Sequence, residues 1–130
     1  MTRELRELLR GHRFDLALTL HEDFDGQGVY LYELQNEPPH WGERVLAAQT
    51  ALPIDPRRRI DISTCRAGVI RRSFDARRHR KLGGLPEAVF LHRHHARRAL
   101  TIETPSESAL EHRSAAHVSM IEAAIALATH

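Results

Sequence analysis

The sequence predicts an α/β layered domain, because strand-like runs alternate with helical ones. Phe14 to Leu20 (FDLALTL), Val29 to Leu34 (VYLYEL) and Ala99 to Glu103 (ALTIE) are short runs of aliphatic, branched and aromatic residues, the composition of strands. Apolar residues recur at helical spacing in the segments around them. The 130 residues, 42% hydrophobic and 28% charged, suit one soluble domain.

In chain order, Leu5, Leu8 and Leu9 mark a first helix with Gly11 as its stop. FDLALTL reads as a buried strand that ends at His21, before the acidic, glycine-containing loop EDFDGQG. VYLYEL is the second strand. Pro38 and Pro39 punctuate the chain, and Trp41, Val45, Ala48 and Leu52 then share one helical face. Residues 53–85 hold no sustained period, only brief strand-like pieces at Ile60–Ile62 and Gly68–Ile70, so they read as an irregular connection. Pro86 opens a helix running to about Arg97, and ALTIE is the third strand. Ser108 and Glu111 have capping-box spacing for a last helix, whose apolar stripe is Val118, Ile121, Ile125 and Ala128.

Composition excludes several classes. No apolar run approaches the ~20 residues of a membrane span, and MTRELRELLRGHR has no apolar core of a secretory signal. The single cysteine, Cys65, excludes an internal disulfide and a multi-cysteine zinc site; a reducing, cytoplasmic setting is expected. The net charge of +2 hides a basic block: Arg57 to Arg98 holds thirteen Lys/Arg against three acids, while the remainder carries −8. Such a block could bind phosphate-rich partners. However, only Phe74 and Phe90 fall among these arginines, not the interleaved aromatics that stacking platforms require, which argues against nucleic acid.

His21 and Glu103 each fall at the carboxyl end of an expected strand, where ligands gather in open α/β sheets. His21, beside Glu22, Asp23 and Asp25, is a candidate metal ligand, or else a strand-end histidine bonded to its loop. Glu103 is a candidate general base, or else a carboxylate favoured by the dipole of the following helix. His40-Trp41-Gly42-Glu43 has His-x-x-Glu spacing but follows His21 and opens a helix, so it is read as a helix first turn. His92 and His95 share a helical face among arginines, a positive field that disfavours a divalent cation.

TLHEDFDGQGVYLYEL, followed some eighty residues later by LTIETPSE, resembles the C-terminal half of a zinc metallocarboxypeptidase catalytic domain. The branch is that of bacterial proteins grouped with succinylglutamate desuccinylase and aspartoacylase. GGLPEAVFLHRHHARRALTIETPS is similar to the same branch, and the likeness runs from about Phe14 to the C-terminus. The resemblance implies a partial mixed sheet flanked by helices, the C-terminal half of an α/β/α domain, with residues 1–130 a single partial domain. It implies His21 as a zinc ligand, Glu103 as general base, and a peptide or N-acyl amino-acid amide as substrate. Members of that family take their first two ligands from a His-x-x-Glu motif far upstream. This chain starts about twenty residues before His21, so the expectation is an incomplete zinc site without activity of its own. A missing N-terminal half would complete it. The competing expectations are a non-catalytic remnant or interaction module that self-associates through exposed sheet edges, and a basic phosphate-binding module.

Overall fold

The structure, a computed structural model, describes residues 2–35, 37–72 and 87–130. Its elements are α1 (Arg3–Leu9), β1 (Phe14–Asp23), β2 (Tyr30–Leu34), α2 (Gly42–Ala47), β3 (Arg59–Ile60), β4 (Ser63–Thr64), β5 (Val69–Arg72), α3 (Glu87–His94), β6 (Ala96–Pro105) and α4 (Leu110–Thr129). Four strands make a mixed sheet in the order β1-β6-β2-β5. β6 is parallel to β1 and antiparallel to β2, and β2 is parallel to β5. β3 and β4 form a separate two-stranded hairpin. The α/β class and the mixed, helix-flanked sheet are as the sequence led one to expect.

Strand alternation divides the side chains between two faces. Leu31, Val69, Leu100 and Ile102 point to one face and pack with Val45 and Leu46 of α2 and Ala116, Met120 and Ala124 of α4. On the other face, α3 covers one end through Val89, which meets Leu34 and Ala99. The hairpin covers a flank through Ile60, which packs with Tyr30, Cys65 and Ile70. Thr19, His21, Thr101 and Glu103 belong to this second face by register and alternation.

Two local contacts hold the layers in place. The carboxylate of Glu33, fully buried on β2, accepts the backbone N–H of Trp41 at 2.6 Å and of Gly42 at 3.0 Å, so it caps the start of α2. Its second oxygen faces Arg71 Nε at 3.3 Å, a partner that a buried charge requires. Gly28 is needed because a Cβ there would lie 2.5 Å from the Pro53 carbonyl and 2.6 Å from the Asp55 nitrogen. That close approach lets Val29 bond to both Pro53 and Asp55, which brings the 53–57 segment alongside β2.

Several sequence expectations are corrected. FDLALTL is not buried: among the described residues β1 is an edge strand, with Phe14 and Leu20 exposed, and it continues three residues beyond Leu20 so that His21 lies within it. Helix α2 has six residues; Ala48 is exposed at its end and Leu46 is buried instead. The 53–85 segment is not wholly irregular, since β5 supplies a sheet strand; residues 73–86, with Pro86, lie outside the described residues. Helix α3 ends at His94, not near Arg97, because β6 already begins at Ala96. No capping box forms at α4, whose N-cap is Ala109 without a side-chain hydrogen bond. Its buried face is Ala116, Met120 and Ala124, while Val118 and Ile125 are 52% and 51% exposed. Ala116 and Ala124, small residues one on each side of Met120, let the helix lie against the sheet, a requirement that outweighs hydrophobicity alone.

Among the described residues no helix is long and apolar enough to cross a membrane. The inward face of α4 sets an expected outcome: Met120→Ala costs about 2–5 kcal/mol in denaturant unfolding, as for other buried large-to-small changes. Val118→Ala costs about 0.5 kcal/mol or less, as surface changes usually do. Equal costs would mean that the helix is turned differently.

Candidate functional site

The site is built by strand register. In the parallel pairing of β1 with β6, His21 lies opposite Glu103; in the antiparallel pairing of β6 with β2, Glu103 lies opposite Tyr30. Partners in register share a face, so imidazole, carboxyl and phenol form one row across three adjacent strands. One step along the strands, Thr19 and Thr101 share a hydroxyl hydrogen bond of 2.7 Å, which ties β1 to β6 on that face. Glu103 lies two residues inside the end of β6, and α4 begins only at Leu110. The reading of Glu103 as a helix-dipole carboxylate therefore loses its geometric basis.

Beyond this row lies a network that the sequence reading did not single out. Tyr30 donates its hydroxyl to Asp23 at 2.7 Å. Arg57 Nη2 reaches Asp23 at 3.2 Å and Asp55 at 2.8 Å, and Arg57 Nε adds a bond of 2.9 Å to Asp55. Asp55 also accepts the backbone N–H of Gln27 at 2.9 Å. The Arg57 guanidinium stands 5.5 Å from the centre of the Tyr30 ring. At the hairpin tip, Asp61 adopts a left-handed φ of 55° and accepts the Tyr32 hydroxyl at 3.3 Å. Asp23 was legible only as part of an acidic loop, and Arg57 only as one of many arginines. No local spacing joins residues 34 positions apart.

The carboxyls of this face differ in character. Burial pushes Glu103 up to about 7, and the charges of Asp23 and Asp61 push the same way. Burial also tends to raise Asp23, but the Tyr30 hydroxyl, the Asp25 amide and Arg57 outweigh it and hold Asp23 below the ordinary carboxylate range. Asp55 is lowered likewise: burial opposes ionisation, while Arg57 and the Gln27 amide prevail. Tyr30 is pushed far up by burial and by its bond to Asp23, so it stays a neutral donor. Tyr32, pushed up to about 12 by burial first and then by Asp61, does the same. Near neutral pH, Glu103 is thus poised to exchange a proton beside anions that are fixed.

Metal ligation requires more than this chain shows. A catalytic zinc takes three protein ligands and a water. Among the described residues no group of three His, Cys, Asp or Glu side chains is placed to hold an ion. Asp23, the carboxylate nearest His21 in sequence, is already bound to Tyr30 and Arg57. The residues present do not by themselves fit a zinc site.

The other histidine candidates go elsewhere. His40 Nδ1 lies 2.8 Å from Gln35 Nε2, and Glu43 pairs with Arg71 at 3.1 Å. His95 is buried just past α3, with Nδ1 at 2.9 Å from the His12 carbonyl, while His92 is half-buried and lowered by that burial. A cavity of about 650 Å³ beside them, lined in part by Arg13, Gln35, His92 and Arg97, lies at the opposite ends of β1 and β6 from His21 and Glu103. Cys65 is a buried core thiol whose ionisation burial disfavours. Several arginines of the basic block have internal partners: Arg57 as above, Arg71 on Glu33 and Glu43, Arg72 against Ser63, and Arg98 3.9 Å over the Trp41 ring.

No protein-family model and no curated protein matches the chain. Solved structures do. A proposed metallopeptidase of Shewanella amazonensis is 26% identical, with a TM-score of 0.76 over 95% of this chain and 44% of its own. One of Shewanella denitrificans is 25% identical, with a TM-score of 0.67 over 85% of this chain and 39% of its own. One of Shewanella baltica, 23% identical with a TM-score of 0.76, covers 96% and 44% and bears on the fold alone. The fold is thus metallopeptidase-like, and the chain spans less than half the length of these proteins.

The raised Glu103 has a thermodynamic signature. An acid titrating at about 7 when folded and 4.5 when unfolded favours folding while protonated, so its contribution is full below about 4.5 and is lost as pH rises towards 7. Glu103→Gln is expected to match the parent in thermal melts near pH 4 and to exceed it at pH 8. A variant less stable than the parent at pH 8 would show that Glu103 is not destabilised when charged.

Proposed function

We propose that this chain carries the general-base half of a metal-dependent, peptidase-like hydrolase domain. The observation that supports this reading is the register pairing of His21 with Glu103 on one open sheet face, within a metallopeptidase-like fold. Glu103 is the base. Its carboxylate, titrating near 7, takes a proton from the water that attacks the scissile carbonyl. It then delivers that proton to the leaving nitrogen as the carbon–nitrogen bond breaks. The central strand β6, bonded on both sides, holds this carboxyl in position, as a catalytic group needs.

His21 supplies one imidazole donor towards a metal, zinc by the family resemblance. On this reading the two further donors come from residues outside those described, as the His-x-x-Glu motif of the resembled family implies. The proposed substrate class is a peptide or N-acyl amino-acid amide. Tyr30 and Arg57 act indirectly: they keep Asp23 anionic, and the Asp23 charge favours a protonated Glu103. A second reading, a non-catalytic module, is favoured by the lack of a three-donor cluster among the described residues.

One experiment separates the two. The chain is joined to the portion of the Shewanella amazonensis protein that it does not span, and metal content and amide hydrolysis are measured. The hydrolase reading expects about one metal per chain, lost in His21→Ala. It expects Glu103→Gln to retain the metal while kcat falls by about 10²–10⁴. A joined protein without bound metal, or one whose metal is indifferent to His21→Ala, would favour the non-catalytic module.

A further inference from the structure

Strand β5 carries two successive arginines in different surroundings. Arg71 lies on the face of α2 and pairs with the buried Glu33 and with Glu43. Arg72 belongs by register and alternation to the other face, with Tyr32, Thr101 and Glu103. Its guanidinium stands 5.2 Å from the centre of the Tyr32 ring, and its Nη2 donates to Ser63 Oγ of the hairpin. Its Nε is buried without a hydrogen-bond partner. Arg57, Arg71 and Arg113 each hold a carboxylate, but no carboxylate of the described residues pairs with Arg72. Buried donors are nearly always satisfied, so an orphaned guanidinium N–H marks the place of an acceptor. The planar fork of arginine suits a carboxylate above other acceptors.

The spacing to the base fits one amino-acid side chain. Tyr32 lies opposite Thr101, two residues along β6 from Glu103, so its row is about 7 Å from that of Glu103. Both Glu103 and Arg72 act on the Tyr32 hydroxyl, which joins them on one surface. The bonded hydroxyls of Thr19 and Thr101 continue the same row. Ile60 of the hairpin flanks it on one side, through Tyr30 and Ile70, and Val89 of α3 on the other, through Leu34 and Ala99. An aspartate or glutamate carries its carboxylate oxygens about 4–5 Å from Cα, and a charge-assisted hydrogen bond adds about 2.8 Å. Together these span the distance between the two rows.

We propose that Arg72 receives a side-chain carboxylate of the substrate, so that the amino acid released from the scissile nitrogen is acidic. The place of that residue rests on the hydrolase reading. Glu103 hands its proton to the leaving nitrogen, and His21 occupies the β1 side of the row, so the leaving residue extends over β2 and β5. The carboxylate site itself stands on Arg72 and not on that reading. Asp61, an exposed acid at the hairpin tip, accepts the Tyr32 hydroxyl and leaves the buried Nε to the ligand.

The test compares glutamate with its uncharged isostere glutamine. Calorimetry on the full chain measures N-acetylglutamate and N-acetylglutamine, which differ only in side-chain charge. The first is expected to bind about tenfold tighter, a difference lost in Arg72→Gln and partly restored in Arg72→Lys. In the joined protein, benzoylglycyl-glutamate is expected to exceed benzoylglycyl-glutamine by tenfold or more in kcat/KM, chiefly through KM. Arg72→Gln brings that ratio close to one. A parent chain that binds the two probes equally would overturn the proposal, as would a preference unchanged in Arg72→Gln. A preference for N-acetylglutamate that depends on Arg72, in a joined protein that hydrolyses neither amide, supports the carboxylate site and counts against the hydrolase reading alone.

Discussion

The parallel pairing of β1 with β6 is the constraint on which the rest of this molecule depends. Its register runs from Phe14 opposite Ala96 to Asp23 opposite Pro105, so it sets every side-chain row on both faces at once. A slip of one residue would send Leu16 and Leu18 away from α4 and turn His21 away from Glu103. The apolar layer against α4 and the shared hydroxyl bond of Thr19 with Thr101 therefore fix the same alignment from opposite sides. Core packing and site geometry are two results of one pairing.

The open face illustrates how environment separates like groups. Asp23 and Asp55 share Arg57 and are held anionic, whereas Glu103 has no such cation among its influences and is pushed towards neutrality. Removal from water acts on all three; compensation decides the outcome. The same principle applies behind the sheet, where Glu33 is buried without loss of the helix start because two backbone amides and Arg71 receive it. The basic block is likewise a set of local partnerships in several of its members, and its net charge describes the composition better than it describes a surface.

Much of the architecture was legible in local pattern. FDLALTL, VYLYEL and ALTIE are strands because aliphatic, β-branched and aromatic residues pack well on a pleated surface, and each lies within or across an observed strand. What failed was the environment of those elements. β1 was read as buried, yet it sits at an edge; α4 was read with Val118 and Ile125 inward, yet Met120 and two alanines face the sheet. Hydrophobicity along a chain measures what could be buried. Which residues are buried depends on where neighbouring elements approach.

By itself, then, the sequence determined the α/β class and placed an imidazole and a carboxyl in separate strands, since these follow from residue type and period. Only the tertiary structure decided that His21 and Glu103 stand in one register row, that Arg57 reaches back 34 positions to Asp23, and that β6 and not β2 is the neighbour of β1. Those outcomes come from hydrogen-bonded pairing between segments remote in the chain, and no local spacing encodes a partner that distant.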